Sequence, residues 1–165
     1  MQLRKANIAD IDDVMEIFSQ ARMAQRAAGF VQWGDDYPSV DVLLGDIDNG
    51  IGYVFEYEGR SAAYVAITDF DEEYERFPCL WSNAGTYAVF HRIAISDEYR
   101  GRGLSKMLFD MAEDKSRGMG AESVRIDTGI ENRPMQHIMS KRKYMCLGTC
   151  DFVWGTRLAF EKPLT

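Results

Sequence analysis

Apolar residues recur along this chain at two periods, and each change of period marks an expected element. Gln2 to Ala6 alternates apolar and polar positions, which predicts a short strand, and Asn7 can cap the element after it. From Ile8 the spacing of Ile11, Val14, Met15 and Phe18 is helical and predicts a first helix to about Gly29, with Asp12, Asp13 and Glu16 on its polar side. Gly29 to Pro38 is a turn-rich connector holding Gln32, Trp33 and Tyr37, and Ser39 can cap a second helix over Val40 to Ile47. Two β-rich runs, Ile51 to Tyr57 and Ser61 to Thr68, flank Glu58-Gly59-Arg60 and predict a hairpin.

Asp69 to Gly85 has neither period. Its five acidic residues between Asp69 and Glu75, then Pro78, Asn83 and Gly85, predict a solvated loop whose charge could also draw in a cationic amine. Thr86 to Ile95 predicts a central strand with Tyr87, Val89, His91, Ile93 and Ile95 on one face and Ala88, Phe90 and Ala94 largely on the other. Leu104, Met107, Leu108, Met111 and Ala112 define the strongest helix, ending at Gly118 or Gly120. Ser123 to Asp127 predicts a strand, Pro134 to Lys141 a short helix, and Tyr144 to Thr149 with Arg157 to Glu161 a closing strand pair. This order is α/β or α+β with a mixed sheet. With no repeat or composition break, residues 1–165 read as one domain.

A chain of 165 residues with 46% hydrophobic and 27% charged residues folds around one core rather than staying disordered. Nineteen Lys and Arg against 26 Asp and Glu give a net charge of −7, which argues against nucleic acid as a partner. No apolar run approaches the ~20 residues of a membrane span, and the acidic residues after Lys5 do not fit a secretory signal, so a cytoplasmic location is expected. Cys79, Cys146 and Cys150 have neither disulfide nor zinc-site spacing, and with only His91 and His137 beside them no metal is expected. Buried packing is the expectation for Cys146 and Cys150.

The candidate chemistry lies between Ile95 and Leu104. A strand end, a short connector and then Gly101 and Gly103 opening a helix direct main-chain N–H groups and the positive end of the helix dipole at an anion. Arg100, Arg102 and Lys106 add positive charge there. The loop lacks the Gly-Lys-Ser/Thr of a nucleotide-hydrolysing P-loop, and Lys106 replaces the third glycine of a dinucleotide fingerprint. A tight turn that merely needs glycine is the other reading of such a pair.

Arg100-Gly101-Arg102-Gly103-Leu104-Ser105, after His91-Arg92-Ile93-Ala94-Ile95, resembles the acyl-CoA signature Gln/Arg-x-x-Gly-x-Gly/Ala of the GNAT N-acetyltransferase superfamily. Arg100, Gly103 and Ser105 take its three defining positions, Ser105 departing from Gly or Ala. Asp127-Thr128 and Asn132-x-x-Met135 resemble the family's next strand end and pantetheine-contacting asparagine. The resemblance extends over essentially the whole chain, with its nearest likeness among bacterial single-domain members. It implies a mostly antiparallel central sheet of about seven strands, flanked by about four helices and splayed at the central strands.

The resemblance further implies acetyl-CoA as co-substrate and transfer of its acetyl group to a primary amine, small molecule or peptide, by direct attack in a ternary complex. The diphosphate would lie on Arg100, Gly101, Arg102, Gly103, Leu104 and Ser105. The pantetheine arm would follow Ile93, Ala94 and Ile95 and meet Asn132 and Met135, with the Ile93 N–H on the acetyl carbonyl. His91 is either the base that deprotonates the amine or a packed core histidine. Gln32, Trp33 and Tyr37 either recognise the acceptor or anchor their connector. The family's usual acidic tyrosine is replaced by Met139, which has no proton to donate, and Tyr144 falls at a core position. A non-catalytic acyl-CoA-binding module of the same fold is the alternative. A homodimer could cover an edge of the closing strand pair.

Overall fold

The computed structural model describes all 165 residues. Strand β1 (Gln2–Lys5) leads into a 3-10 turn at Ile8–Asp10, where Asn7 and Asp10 form a reciprocal capping box. Helix α1 (Ile11–Ala27) comes next, starting three residues later and ending two residues earlier than its periodicity suggested, and buries Val14, Ile17 and Phe18. Helix α2 (Val40–Asp48) is capped by Ser39, whose hydroxyl accepts from the Val42 N–H at 3.2 Å. Strands β2 (Gly52–Tyr57) and β3 (Arg60–Thr68) form the expected hairpin. Its two turn residues, Glu58 and Gly59, both have positive φ, matching the twist of the flanking strands.

The acidic stretch is not simply a solvated loop. It contains a short helix α3 (Glu72–Glu75), capped by Asp71, in which Glu73 is buried and accepts from the Val153 N–H at 2.7 Å. Arg76 also donates to Glu73, at 2.9 Å, but local propensity could not reveal the burial, because the second partner, Val153, lies 80 residues away. Strand β4 (Tyr87–Ile95), helix α4 (Leu104–Gly118), strand β5 (Ser123–Gly129) and helix α5 (Arg133–Lys141) come after it. Strands β6 (Met145–Phe152) and β7 (Gly155–Pro163) close the chain.

The seven strands form a mixed, mostly antiparallel sheet in the order β1-β2-β3-β4-β5-β7-β6, with five helices. Two compact units divide it: Met1–Ile67 with His91–Ala112, and Thr68–Phe90 with Glu113–Thr165. Strand β4 and helix α4 each run through both.

In the first unit Val14, Ile17 and Phe18 of α1 pack with Trp33, Leu43, Val54, Tyr64, Ala66 and Ala94. In the second, Tyr74, Trp81, Tyr87, Val89, Phe152 and Ala159 share a core, and Cys150 joins them as expected. Cys146 is exposed, contrary to expectation, and all three cysteines are free thiols. Gly148, at φ 100°, marks the β6 irregularity between Cys146 and Gly148 that upsets the pleat near Cys146. Within the second unit the parallel ladder of β4 and β5 runs from Tyr87 opposite Ser123 to Val89 opposite Arg125.

Candidate active site

Glycine decides the backbone of the loop before α4. Gly101 and Gly103 have φ of 73° and 76°, a left-handed conformation that costs other residues about 1–2 kcal/mol. A Cβ at either would meet nothing within 4 Å, so conformation rather than crowding requires glycine. The loop is pinned from below. Ser96 N–H donates to the Ala62 carbonyl at 2.9 Å, Asp97 N–H to Gln20 Oε1 at 2.8 Å, and buried Tyr99 packs edge-on against Tyr57.

At the helix start the Lys106 and Met107 amides both turn to the Gly103 carbonyl, while those of Gly103, Leu104 and Ser105 find no acceptor within the chain. Three donors at the positive end of a 15-residue helix can receive an anion. The basic side chains are less available than their sequence suggested. Arg100 pairs with Asp97 at 2.6 Å and Lys106 with Asp110 at 2.7 Å, while Arg102 stacks over Tyr99 at 5.6 Å. These ion pairs are exposed and weakly held, so a phosphate can compete for the cations.

Strand β4 corrects the expected pleat. Arg92 has φ 53°, in the left-handed region, so the period-two rule that put His91 and Ile93 on one face does not carry across it. Beyond this turn Ala94 packs into the α1 and α2 core, while His91, Ile93 and Ile95 are half-buried. The Arg92 side chain is largely buried and forks onto Asp46 of α2, with Nε 2.8 Å from Oδ2 and Nη2 2.6 Å from Oδ1. Tyr64 of β3 donates its hydroxyl to the same Oδ2 at 2.6 Å, and Arg92 Nη1 lies 3.1 Å from the Tyr37 hydroxyl. Burial first, then the Asp46 charge, pushes the Tyr64 phenol well above its ordinary value. Burial opposes the Arg92 charge, but the hydrogen bonds to Asp46 outweigh it and hold the guanidinium protonated.

The connector residues divide. Trp33 is a core residue, edge-on to Phe18 at 5.8 Å, and the Gln32 and Trp33 N–H groups both donate to Gln25 Oε1 of α1. Tyr37 is 39% exposed and meets Arg92 through its hydroxyl, which ties the connector to β4. Asn132 and Met135 belong to the second unit, where Asn132 Oδ1 caps α5 by accepting the Met135 N–H at 3.1 Å. Met139 is fully buried and His137 exposed. Buried Tyr144 donates to Glu113 Oε1 at 3.1 Å, and burial, then that carboxylate, raises its phenol well above the ordinary range, as suits a core residue.

Sequence periodicity missed two arrangements. One is the Asp46–Arg92–Tyr64–Tyr37 network. The other is Asp127 of β5, which accepts from Tyr74 Oη at 2.6 Å and Trp154 Nε1 at 3.1 Å. A third feature, a polar cavity of about 390 Å³ lined by Arg4, Asp10, Glu16, Glu56, Arg60 and Glu98, among others, contains none of the predicted site residues. No helix is long and apolar enough to cross a membrane.

A mixed seven-stranded sheet with a glycine-bent loop presenting amides at the start of α4 defines an acyltransferase-type fold. The chain belongs to the acetyltransferase (GNAT) family, whose model matches residues 11–144. It is similar to the crystal structure of a GNAT-family acetyltransferase from Streptococcus agalactiae 2603, with 32% identity, 98% of this chain and 94% of that one covered, and a TM-score of 0.87. It is 26% identical over 144 residues to the N-acetyltransferase YesJ of Bacillus subtilis strain 168, covering 85% of this chain and 77% of the relative. The fold also matches yncA, an acetyltransferase of Salmonella typhimurium solved with its cofactor acetyl-CoA, at TM-score 0.70 and 17% identity, covering 100% of this chain and 94% of that one.

Proposed function

We propose that this chain, acting as one N-acetyltransferase domain, moves the acetyl group of acetyl-CoA to a primary amine by direct attack in a ternary complex. The observation that carries the reading is the set of unaccepted amides at Gly103, Leu104 and Ser105, opened by two left-handed glycines. The diphosphate would take these donors, with Arg100 and Arg102 swinging onto its oxygens. The acetyl-CoA bound by yncA supports the choice of cofactor.

The pantetheine arm would run along Ile93, Ala94 and Ile95. The amine nitrogen attacks the thioester carbon, forming the C–N bond, and the developing oxyanion accepts the Ile93 N–H. His91 is the candidate for taking the amine's proton, because an amine attacks only when unprotonated. Loss of the second proton from the attacking nitrogen to solvent and cleavage of the C–S bond then give the amide and the departing thiolate. Neither Met139 nor the core-bound Tyr144 offers it a proton, and a thiol of ordinary pKa ~8.5 leaves without one. On the acceptor side Tyr37 and Gln32 are the recognition candidates, and Trp33 acts by anchoring their connector.

Calorimetry with CoA and acetyl-CoA, followed by thiol release across a panel of primary amines, tests this reading. Saturable binding of both ligands with turnover of at least one amine is expected; absence of any binding heat at millimolar ligand overturns it.

A further inference from the structure

We propose that Arg92 is a positioning residue for acetyl transfer: its guanidinium, clamped by Asp46 and Tyr37, holds the left-handed turn in β4 that sets the direction of the Ile93 N–H. The inference rests on the reading of that N–H as the donor to the acetyl oxygen.

Glycine is the residue that adopts φ 53° at little cost, and this chain has glycine at most of its left-handed positions, Gly101 and Gly103 among them, with Glu58 and Lys143 the other exceptions. At position 92 it has an arginine, a residue that enters this region only under constraint. The constraint is visible. Both Asp46 oxygens take a guanidinium N–H, at 2.6 and 2.8 Å, in the planar fork that only arginine supplies. Asp46 is itself buried and fixed by Tyr64 Oη at 2.6 Å. Arg92 thereby ties β4 to α2 and, through the shared carboxylate, to β3.

The third guanidinium nitrogen reaches the Tyr37 hydroxyl, so the connector proposed to border the acceptor is tied to the same point. Downstream, Ala94 is locked in the α1 and α2 core. The peptide between Arg92 and Ile93 is therefore held on both sides. A left-handed residue turns the next peptide out of the regular strand ladder, and a donor must be fixed before reaction to act on a developing oxyanion.

Arg92→Lys keeps the charge and loses the fork. It is expected to lower kcat about 100-fold, as misplacement by ~1 Å does, with the CoA dissociation constant and the KM for acetyl-CoA within twofold of wild type. Wild-type kcat in this variant overturns the proposal. Arg92→Gly/Asp46→Asn removes the clamp, leaves no stranded charge and permits the left-handed φ; it should bind CoA normally and remain slow, and full activity here also refutes the clamp. A crystal structure of Arg92→Met/Asp46→Asn reads the backbone without reference to turnover. An extended φ at position 92 is expected, and a φ still near 53° rejects the proposal. If wild type neither binds CoA nor acetylates any amine, the acetyltransferase reading fails, and the crystallographic result still decides whether Arg92 holds the turn.

Discussion

Glu161 on β7 lies directly opposite Arg125 on β5, its Oε1 3.1 Å from Arg125 Nε, with side chains 0% and 5% exposed. The carboxylate is further satisfied by Ser82 and by the Ser123 hydroxyl, while the guanidinium lies over the Tyr87 ring at 3.8 Å. Such a pair is costly to break from one side, because the remaining charge stays in the core.

Burial by itself would raise the Glu161 carboxyl, but hydrogen bonds from Ser82 and Arg125 outweigh it and hold it below its ordinary 4.5. A lowered folded-state value means this stabilisation is complete above the unfolded value and lost as pH falls through the folded one. Urea unfolding should therefore show Glu161→Gln destabilised by about 3 kcal/mol at pH 7, with the gap to wild type narrowing steadily below pH ~4.5. A pH-independent gap contradicts this account.

Gly52 gives the Tyr64 hydroxyl room to reach Asp46. A Cβ there would stand 2.7 Å from Tyr64 Oη and 3.3 Å from Asp46 Cβ. Gly52→Ala is expected to cost about 1–3 kcal/mol by overpacking and to lower kcat by displacing the carboxylate that holds Arg92. Denaturant midpoints and steady-state kinetics measure the two effects separately.

Gly103→Ala tests the phosphate loop. Its cost is conformational, since the new methyl meets nothing, and about 1 kcal/mol of stability should be lost. The diagnostic effect is on the cofactor: calorimetry should find CoA binding weakened, with the amine KM little changed. Unaltered CoA affinity would move the diphosphate elsewhere.

His91→Ala separates base from packing. A base role predicts a loss of about 100-fold or more in kcat, disappearance of the acid limb of the pH–rate profile, and CoA binding unchanged. An unaltered profile with lowered thermal stability assigns His91 to the core.

Much of the fold is dictated by residues close in sequence. The capping box and caps at Asn7, Ser39 and Asn132, the Glu58-Gly59 hairpin turn and the apolar stripe of α4 act within a few residues, so their elements fall where the pattern puts them. The glycine pair before α4 is legible for the same reason. Its φ values are a local demand that only glycine meets cheaply.

Local pattern could not supply the partner of a side chain. Alternation placed His91, Ile93 and Ile95 on one face because it contains no information about a left-handed residue between them. Trp33 reads equally well as acceptor contact or core, and only its packing on Phe18 decides for the core. Glu73 reads as a solvated acid until Val153 donates to it.

The chain's own pattern thus determined the order of the strands and of every helix but α3, and the glycine-bent start of α4, because caps, turns and periodicity are short-range. The tertiary structure alone decided the course of β4. Asp46, 46 residues before Arg92, and Tyr64 from a third element impose a backbone conformation that arginine does not adopt unaided, and such a constraint exists only once α2, β3 and β4 have packed together.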